Sequence, residues 1–172
     1  MIILIGITKI MEELIINPKK DLIFDYKVIE QCKSCKRYGK KATCPPNIAS
    51  TYVYQKLLPS YKYCKFFYYK FDIENFDNWK VEGRNSSIKL SNYVRGKRDE
   101  LIQQGHYFCI AFGAGSCKVC DSCSFPCRYP DKALIPLEAT GLHIIEILDK
   151  FGIKLEVPIK ETFYRVGAVF YD

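Results

Sequence analysis

The sequence has no uncharged apolar run long enough to cross a membrane. A transmembrane helix needs about 20 predominantly apolar residues, whereas charges at Lys9, Glu12 and Glu13 interrupt the apolar N-terminal stretch. That stretch also lacks the basic leading region and the small-residue cleavage site of a secretory signal. We therefore expect no membrane span, no signal peptide and a cytoplasmic location.

Several catalytic signatures are also missing. The chain has no glycine-rich phosphate loop, no C-x3-C-x2-C radical motif and no recognisable Ser–His–Asp set. The two histidines, His106 and His143, lie in apolar contexts, where a structural role is commoner than metal ligation. Repeats and linkers are absent too, so residues 1–172 are expected to form a single metal-binding domain, with enzymatic activity of its own left open.

What the sequence does contain is an excess of positive charge, concentrated in one loop. The net charge is +7, and five bases without an acid lie between Cys32 and Cys44: Lys33, Lys36, Arg37, Lys40 and Lys41. Such a run can be a plain solvated loop, or it can offset anionic thiolates or dock an acidic redox partner through residues 33–41. The absence of a basic–aromatic stripe argues against a nucleic-acid partner.

Nine cysteines are the other abundant feature, and four of them form one short loop. In a reducing compartment such clusters hold metals more often than disulfides. The second cysteine loop has the spacing C-x2-C-x2-C-x3-C, made by Cys117, Cys120, Cys123 and Cys127. This is the bacterial [4Fe–4S] ferredoxin run, although its proline is displaced to Pro126 and Pro130. The spacing predicts a cluster more strongly than it predicts a ferredoxin fold.

The first cysteine loop supplies Cys32, Cys35 and Cys44, so it is one ligand short. Two [4Fe–4S] clusters need eight thiolates, and the two loops contain seven. Core packing is the favoured role of the remaining Cys64 and Cys109, with Cys109 the better reserve ligand because its strand leads into the second loop.

The four-cysteine run can be divided in two ways. In two-cluster ferredoxins its fourth cysteine ligates the other cluster, and we favour a split in which Cys127 completes the first-loop site. Cys109 or Cys64 would then complete the second. All four cysteines in one site, or one site left with an open iron, are the alternatives.

Residues around the second loop are further candidates. Gly113 and Gly115 allow backbone N–H groups to approach an anionic centre, although a plain tight turn explains them as well. Arg128 can hydrogen-bond a cluster sulfide. Glu138 can cap a helix or pair with Arg128, and a surface ion pair is the simpler expectation for both residues.

Periodicity predicts a mixed sheet flanked by helices, as a compact α/β or α+β domain carrying the two cysteine loops. We expect helices over residues 7–17, 50–58 and 85–104 and within 136–151. We expect strands over residues 22–29, 61–73, 106–113 and 163–172, and residues 154–157 are a candidate partner for the last of these.

The segments over residues 32–46 and 117–142 resemble the predicted metal-binding proteins of domain of unknown function 2284. The resemblance covers most of the chain and implies that the seven loop cysteines are the metal-binding set, but it implies no reaction. Surrounding motif positions are matched by Tyr38, Gly39, Pro45, Pro46, Arg128, Pro130, Glu138, Ala139 and Gly141.

Three functions follow as hypotheses. The first is an iron–sulfur protein with one [4Fe–4S] cluster or, as the cysteine count favours, two, which transfers electrons to or within a larger redox enzyme complex. The second is a zinc-stabilised binding module that contacts protein or RNA. The third is a cluster-dependent enzyme or maturation factor with an open iron site.

Overall fold

Residues 11–73 and 78–172 are described by a computed structural model, and they form both strands and helices. The elements in chain order are β1 (Glu12–Ile16), α1 (Tyr26–Lys33), α2 (Thr51–Leu57), β2 (Tyr63–Asp72), α3 (Trp79–Gln103), β3 (Cys109–Gly113), β4 (Ile135–Pro136), α4 (Ile144–Lys150) and β5 (Thr162–Tyr171). Short 3-10 helices cover Leu58–Ser60 and Leu137–Thr140. Across the described ranges, no helix is both long and apolar enough to cross a membrane.

The strands form one mixed sheet in the order β1-β2-β5-β3-β4. β1 with β2, β2 with β5, and β5 with β3 are antiparallel pairs, whereas β3 and β4 are parallel. The predicted class of an α+β fold with a mixed sheet is therefore confirmed.

Both faces of the sheet are covered, and side chains of its central strands point alternately into one core and the other. On one face Phe66 and Phe170 pack with residues of α2 and α4. On the other face Phe67 and Val169 pack against α3. Burying a large apolar side chain contributes about 1.5–3 kcal/mol, so this double core supports the loops at the sheet's edge.

The predictions for the helix over 50–58 and the strands over 61–73 and 163–172 are confirmed, within a few residues at the ends. The helix predicted over 85–104 is also present, but α3 begins earlier. Asn78 caps it by accepting hydrogen bonds from the backbone N–H groups of Lys80 and Val81. Ser86 therefore lies inside the helix, where it is buried.

The strand predicted over residues 22–29 is wrong, because a helix begins there. The Asp25 side chain accepts a hydrogen bond from Lys27 N at 2.8 Å and caps α1. Strand pairing is limited to a single bridge between Phe24 and Leu142. As a result Cys32 lies in the last turn of a helix.

The helix predicted over residues 7–17 is also wrong where it can be compared, and residues 7–10 lie outside the described ranges. β1 pairs with β2 instead, and the Glu13–Lys65 ion pair (2.8 Å) and a hydrogen bond from Tyr68 Oη to Glu12 (2.8 Å) join the two strands. Tertiary pairing here overrides local helix preference.

Three boundary predictions also change. Residues 154–157 form no strand, because β5 already has β2 and β3 on its two sides. The strand predicted from residue 106 begins at Cys109. Within 136–151, Gly141 adopts a left-handed φ of +88° and ends the 3-10 helix before α4 begins.

Gly141→Ala is expected to destabilise the chain by about 2–5 kcal/mol, because left-handed strain adds to a clash in a packed site. An added Cβ would clash with Cγ2 of the buried Thr51. Gly105→Ala is the control, since Gly105 has φ +97° with open space around it, and its loss should be about 1–2 kcal/mol. Urea unfolding of both metal-free variants measures the difference, and equal losses would contradict the steric part.

Candidate metal centres

The three cysteines of the first loop surround one cavity together with a carboxylate. Cys32 ends α1, Cys35 follows in the next turn with its N–H bonded to Cys32 O (3.0 Å), and Cys44 is buried. The cavity has a volume of about 140 Å³, and Glu138 and Tyr38 complete its wall. Sequence reasoning missed this position of Glu138.

Glu138 is brought to the cavity by the 3-10 helix Leu137–Thr140, which packs against α1. Its Oε1 accepts a hydrogen bond from Gly115 N at 3.1 Å. Burial raises the pKa of Glu138, against the opposing effects of two backbone N–H groups and of Arg165 and Lys118. The carboxylate is thus a desolvated acid held in place by its backbone neighbours.

The first-loop thiols respond to the same environment. Burial raises the pKa of Cys32, and the charges of Glu138 and Cys35 raise it further. Burial also raises the pKa of Cys44 to about 11, with Cys35 the next contributor. These mutual effects place the three sulfurs and the Glu138 carboxylate within electrostatic reach of one another.

All four cysteines of the second loop line a single, smaller cavity of about 10 Å³. Thr43 and Ala42 of the first loop close it, and Ala42 N donates a hydrogen bond to Cys123 Sγ at 3.2 Å. Cys127 therefore lies with Cys117, Cys120 and Cys123 and does not line the first-loop cavity. This placement favours the four-in-one arrangement over the split in which Cys127 serves the first loop.

The two cavities are adjacent, since residues that follow each other in the chain line one cavity and then the other. Thr43 lines the second-loop cavity while Cys44 lines the first-loop cavity. Ser116 and Cys117 divide in the same way. Two thiol-lined sites thus share two thin walls.

Comparison with protein-family models identifies the family to which this chain belongs. Residues 15–171 match the family model described as predicted metal-binding protein, DUF2284. The chain belongs to the DUF2284 family. Comparison with curated proteins and with solved structures gives no match. The resemblance seen in the cysteine motifs is confirmed, and it supports metal binding without specifying the metal.

The thiol donors of this DUF2284 chain suit soft metal ions and iron–sulfur clusters. Among the described residues, no group of three or more His, Cys, Asp and Glu side chains is arranged to hold a metal ion as it stands. The thiols surround the cavities without closing on one ion. In a tetrahedral zinc site the sulfurs would be about 3.8 Å apart, given Zn–S bonds of about 2.3 Å.

Thr43 supplies an independent sign of a bound group. Its Oγ1 is the buried side-chain oxygen in the described ranges that has no hydrogen-bond partner, and the residue lines the four-cysteine cavity. The hydroxyl lies close enough to favour the Cys44 thiolate, but it makes no hydrogen bond of normal geometry. A buried unpaired hydroxyl costs about 1–3 kcal/mol, so an acceptor inside the cavity would recover that cost.

The cysteines outside the loops lie elsewhere. Cys64 is fully buried in β2 among core aromatics. Cys109 begins β3, packs against the α3 side of the core and lines neither cavity. Its pKa is raised to about 11 by burial, with Arg98 and Asp99 as its charged neighbours. The ligand role of Cys109 stays a prediction that its placement does not support.

The other predicted residues have different contacts from those expected. Gly113 ends β3, and Gly115 N–H is directed at Glu138 rather than at a cysteine sulfur. Arg128 donates to Ser122 O at 2.8 Å. The expected Arg128–Glu138 pair is absent from the described ion pairs, because each residue already has a backbone partner.

Both histidines have local structural contacts. His106 Nδ1 contacts Asp172 O, joining the start of β3 to the end of the chain. His143 Nδ1 accepts a hydrogen bond from Glu146 N at 3.2 Å and caps α4. Neither contact involves a cysteine loop.

A group of cations also surrounds the cysteine loops, and sequence spacing does not reveal it. Burial lowers the pKa of Lys118, and Arg165, Arg37 and Arg84 lower it further. Lys118 Nζ donates to Ser116 O at 2.7 Å and to Ser87 Oγ at 3.2 Å. Cationic side chains from α3, β5 and both loops thus lie close together beside the thiols.

Proposed function

We propose that this DUF2284 chain is an iron–sulfur protein that binds two [4Fe–4S] clusters, one in each cysteine loop, and transfers electrons to or within a larger redox enzyme complex. One observation carries the proposal: seven thiols line two adjacent cavities that share the Thr43–Cys44 and Ser116–Cys117 walls. Adjacent centres suit passage of an electron from one to the other. We place the protein in the cytoplasm, where its thiols stay reduced.

Each site has its own set of protein groups. The second-loop thiolates would hold one cluster, and the Ala42 N–H and the Thr43 hydroxyl would supply hydrogen bonds at its edge. The first-loop thiolates would hold the other beside Glu138. When bound, such clusters accept and donate single electrons at potentials set by ligands, hydrogen bonds and burial.

The surrounding charge supports the same role. Lys118, Arg165, Arg37 and Arg84 offset the negative charge of cysteine-ligated clusters, and nearby cations favour the reduced form. Lys33, Lys36, Arg37 and Lys40 are exposed on the first loop. We propose that this basic surface docks an acidic redox partner, in an association that weakens as salt rises.

Thr43→Val is expected to have opposite effects in the metal-free and loaded proteins. Without metal, the variant should be more stable by about 1–3 kcal/mol, because a buried unpaired hydroxyl becomes a methyl group. With a cluster bound, the lost O–H···S bond should lower the second-loop potential. Urea unfolding and redox titration measure the two effects. Thr43→Ser, which keeps the hydroxyl, is the control, and a stability loss in metal-free Thr43→Val would contradict this role.

The visible spectrum of protein purified without oxygen tests the proposal. We expect a brown protein with broad visible absorption that dithionite bleaches and an oxidant restores. A colourless protein that retains stoichiometric zinc would refute it. Salt-dependent reduction of a partner enzyme would then test the docking surface.

One observation favours zinc as a second candidate at the four-cysteine loop. Its cavity of about 10 Å³ is close to the room that a single water occupies, so a cubane requires the loop backbone to move outward. A zinc-stabilised binding module needs only a smaller rearrangement of four thiolates. Metal analysis of the Cys32→Ala/Cys35→Ala variant separates the two, because its metal belongs to the second loop alone.

A further inference from the structure

The first-loop cavity has three thiols and lacks a fourth. Cys32, Cys35 and Cys44 line it, and none of the other six cysteines does. The two cysteines outside the loops are remote: Cys64 is buried in β2, and Cys109 packs beside α3. A fourth protein ligand at this site must therefore be something other than cysteine.

Glu138 is the acidic side chain in the cavity wall. Its Oε1 is held by Gly115 N at 3.1 Å, and within the described ranges it forms no ion pair at contact distance. Arg165 and Lys118 affect it electrostatically from farther away. Glu138 is partly buried, and a carboxylate removed from water without a contacting cation is destabilised unless a positively charged group binds it.

We infer that Glu138 is the fourth protein ligand of the first-loop site, binding one iron of a [4Fe–4S] cluster whose other three irons are held by Cys32, Cys35 and Cys44. This ligand role rests on the proposed function, and it gives the two loops clusters of different kinds. The four-cysteine loop would hold a closed cluster. The first loop would hold a cluster with one chemically distinct iron.

A carboxylate at this position has a specific consequence. Oxygen is a harder ligand than thiolate and suits a soft sulfide-bridged iron less well, so this iron exchanges its ligand more readily. Arg37, Tyr38 and Ser116 also line the roughly 140 Å³ cavity, so a guanidinium and two hydroxyl groups are available to bind a small anionic or oxygen-donor molecule that takes the place of Glu138 on the iron. The class of ligand that the site would take is therefore a small oxyanion or carboxylate that displaces Glu138.

The purely structural alternative is that Glu138 only accepts the Gly115 hydrogen bond and orders the turn after β3. Glu138→Gln separates the two roles. Glutamine has the same shape and keeps an oxygen for Gly115 N, but it lacks the anionic ligand. Glu138→Cys is the complementary variant, because it supplies a fourth thiolate to the same cavity.

Each variant is made in a Cys120→Ala/Cys123→Ala background, so that the remaining iron belongs to the first loop. The protein is loaded without oxygen with iron-57 and sulfide. With Glu138 present, Mössbauer spectra should show one iron in four with a higher isomer shift, and Glu138→Cys should make all four alike. After mild ferricyanide oxidation, Glu138→Gln should fall from about four irons to about three and give a [3Fe–4S] resonance. Glu138→Cys should keep four.

Different results would overturn the ligand role of Glu138 and the proposed function. Four equivalent irons with Glu138 present, or an unchanged one-in-four signal in both variants, would overturn the ligand role. Circular dichroism of the metal-free variants confirms that each is folded. If neither the unaltered protein nor any variant bound iron, the proposed function would be overturned, together with the ligand role that rests on it.

Discussion

A Cys35→Ala/Cys127→Ala chain is expected to retain markedly less iron than a Cys123→Ala/Cys127→Ala chain, which should retain about four irons. The difference follows from where Cys127 lies. It lines the second-loop cavity with Cys123, so the second pair of substitutions damages one site twice. The first pair damages both sites, because Cys35 lines the other cavity.

The ferredoxin-like division of the same run predicts the reverse. If Cys127 completed the first-loop site, Cys35→Ala/Cys127→Ala would remove one cluster and Cys123→Ala/Cys127→Ala would remove both. Iron per chain after anaerobic reconstitution decides between the two divisions. Cys109→Ala is the matched control: it should keep about eight irons, because Cys109 lines neither cavity. A loss of four would return Cys109 to the ligand set.

Arg165→Met is expected to lower the unfolding free energy of the metal-free chain by about 2–4 kcal/mol, since hydrogen bonds from a charged donor contribute about 1.5–3 kcal/mol each. The Arg165 guanidinium joins β5 to α3 by donating to Gly83 O (2.9 Å) and Ser86 Oγ (3.3 Å). It also lies 4.5 Å from the centre of the Phe163 ring. Its removal takes away a cation that acts on Glu138 as well.

Arg84→Met is the control for this loss, because it removes the same charge from an exposed site on α3. Within the described ranges, the ion pair of Arg84 is with the fully exposed Asp121, at 4.0 Å, and exposed pairs of this kind contribute about 0–1 kcal/mol. Arg165→Lys should recover part of the loss by keeping the charge without the planar donor fork. Urea unfolding at equal m-values measures all three variants. An Arg165→Met loss as small as that of Arg84→Met would contradict the buried linking role.

The sequence predicted the sheet better than it predicted the segments near the metal loops. The near-continuous apolar and aromatic runs over residues 61–73 and 163–172 reflect burial on both faces of the sheet, a signal that is present in the local sequence. The helix α1 was missed because Val28 and Ile29 favour strands, while the Asp25 cap that starts the helix is a single-residue signal. β1 was missed because its pairing with β2 depends on residues far away in the chain.

The metal loops show the same limit. Spacing identifies the seven thiols as a set, but it does not say which of them face the same cavity, because a loop can fold its fourth cysteine either inward or away. Cys127 is such a case. The placement of Glu138 beside Cys32 depends on the packing of the 3-10 helix against α1, and the unpaired hydroxyl of Thr43 is apparent only once the loop is folded.

The amount of iron, acid-labile sulfide and zinc per chain in protein purified without oxygen tests the central claim most directly. Two [4Fe–4S] clusters require about eight irons and about eight sulfides per chain, with no stoichiometric zinc. About four of each would reduce the proposal to one cluster and remove the relay between two centres. Stoichiometric zinc without sulfide would contradict the account.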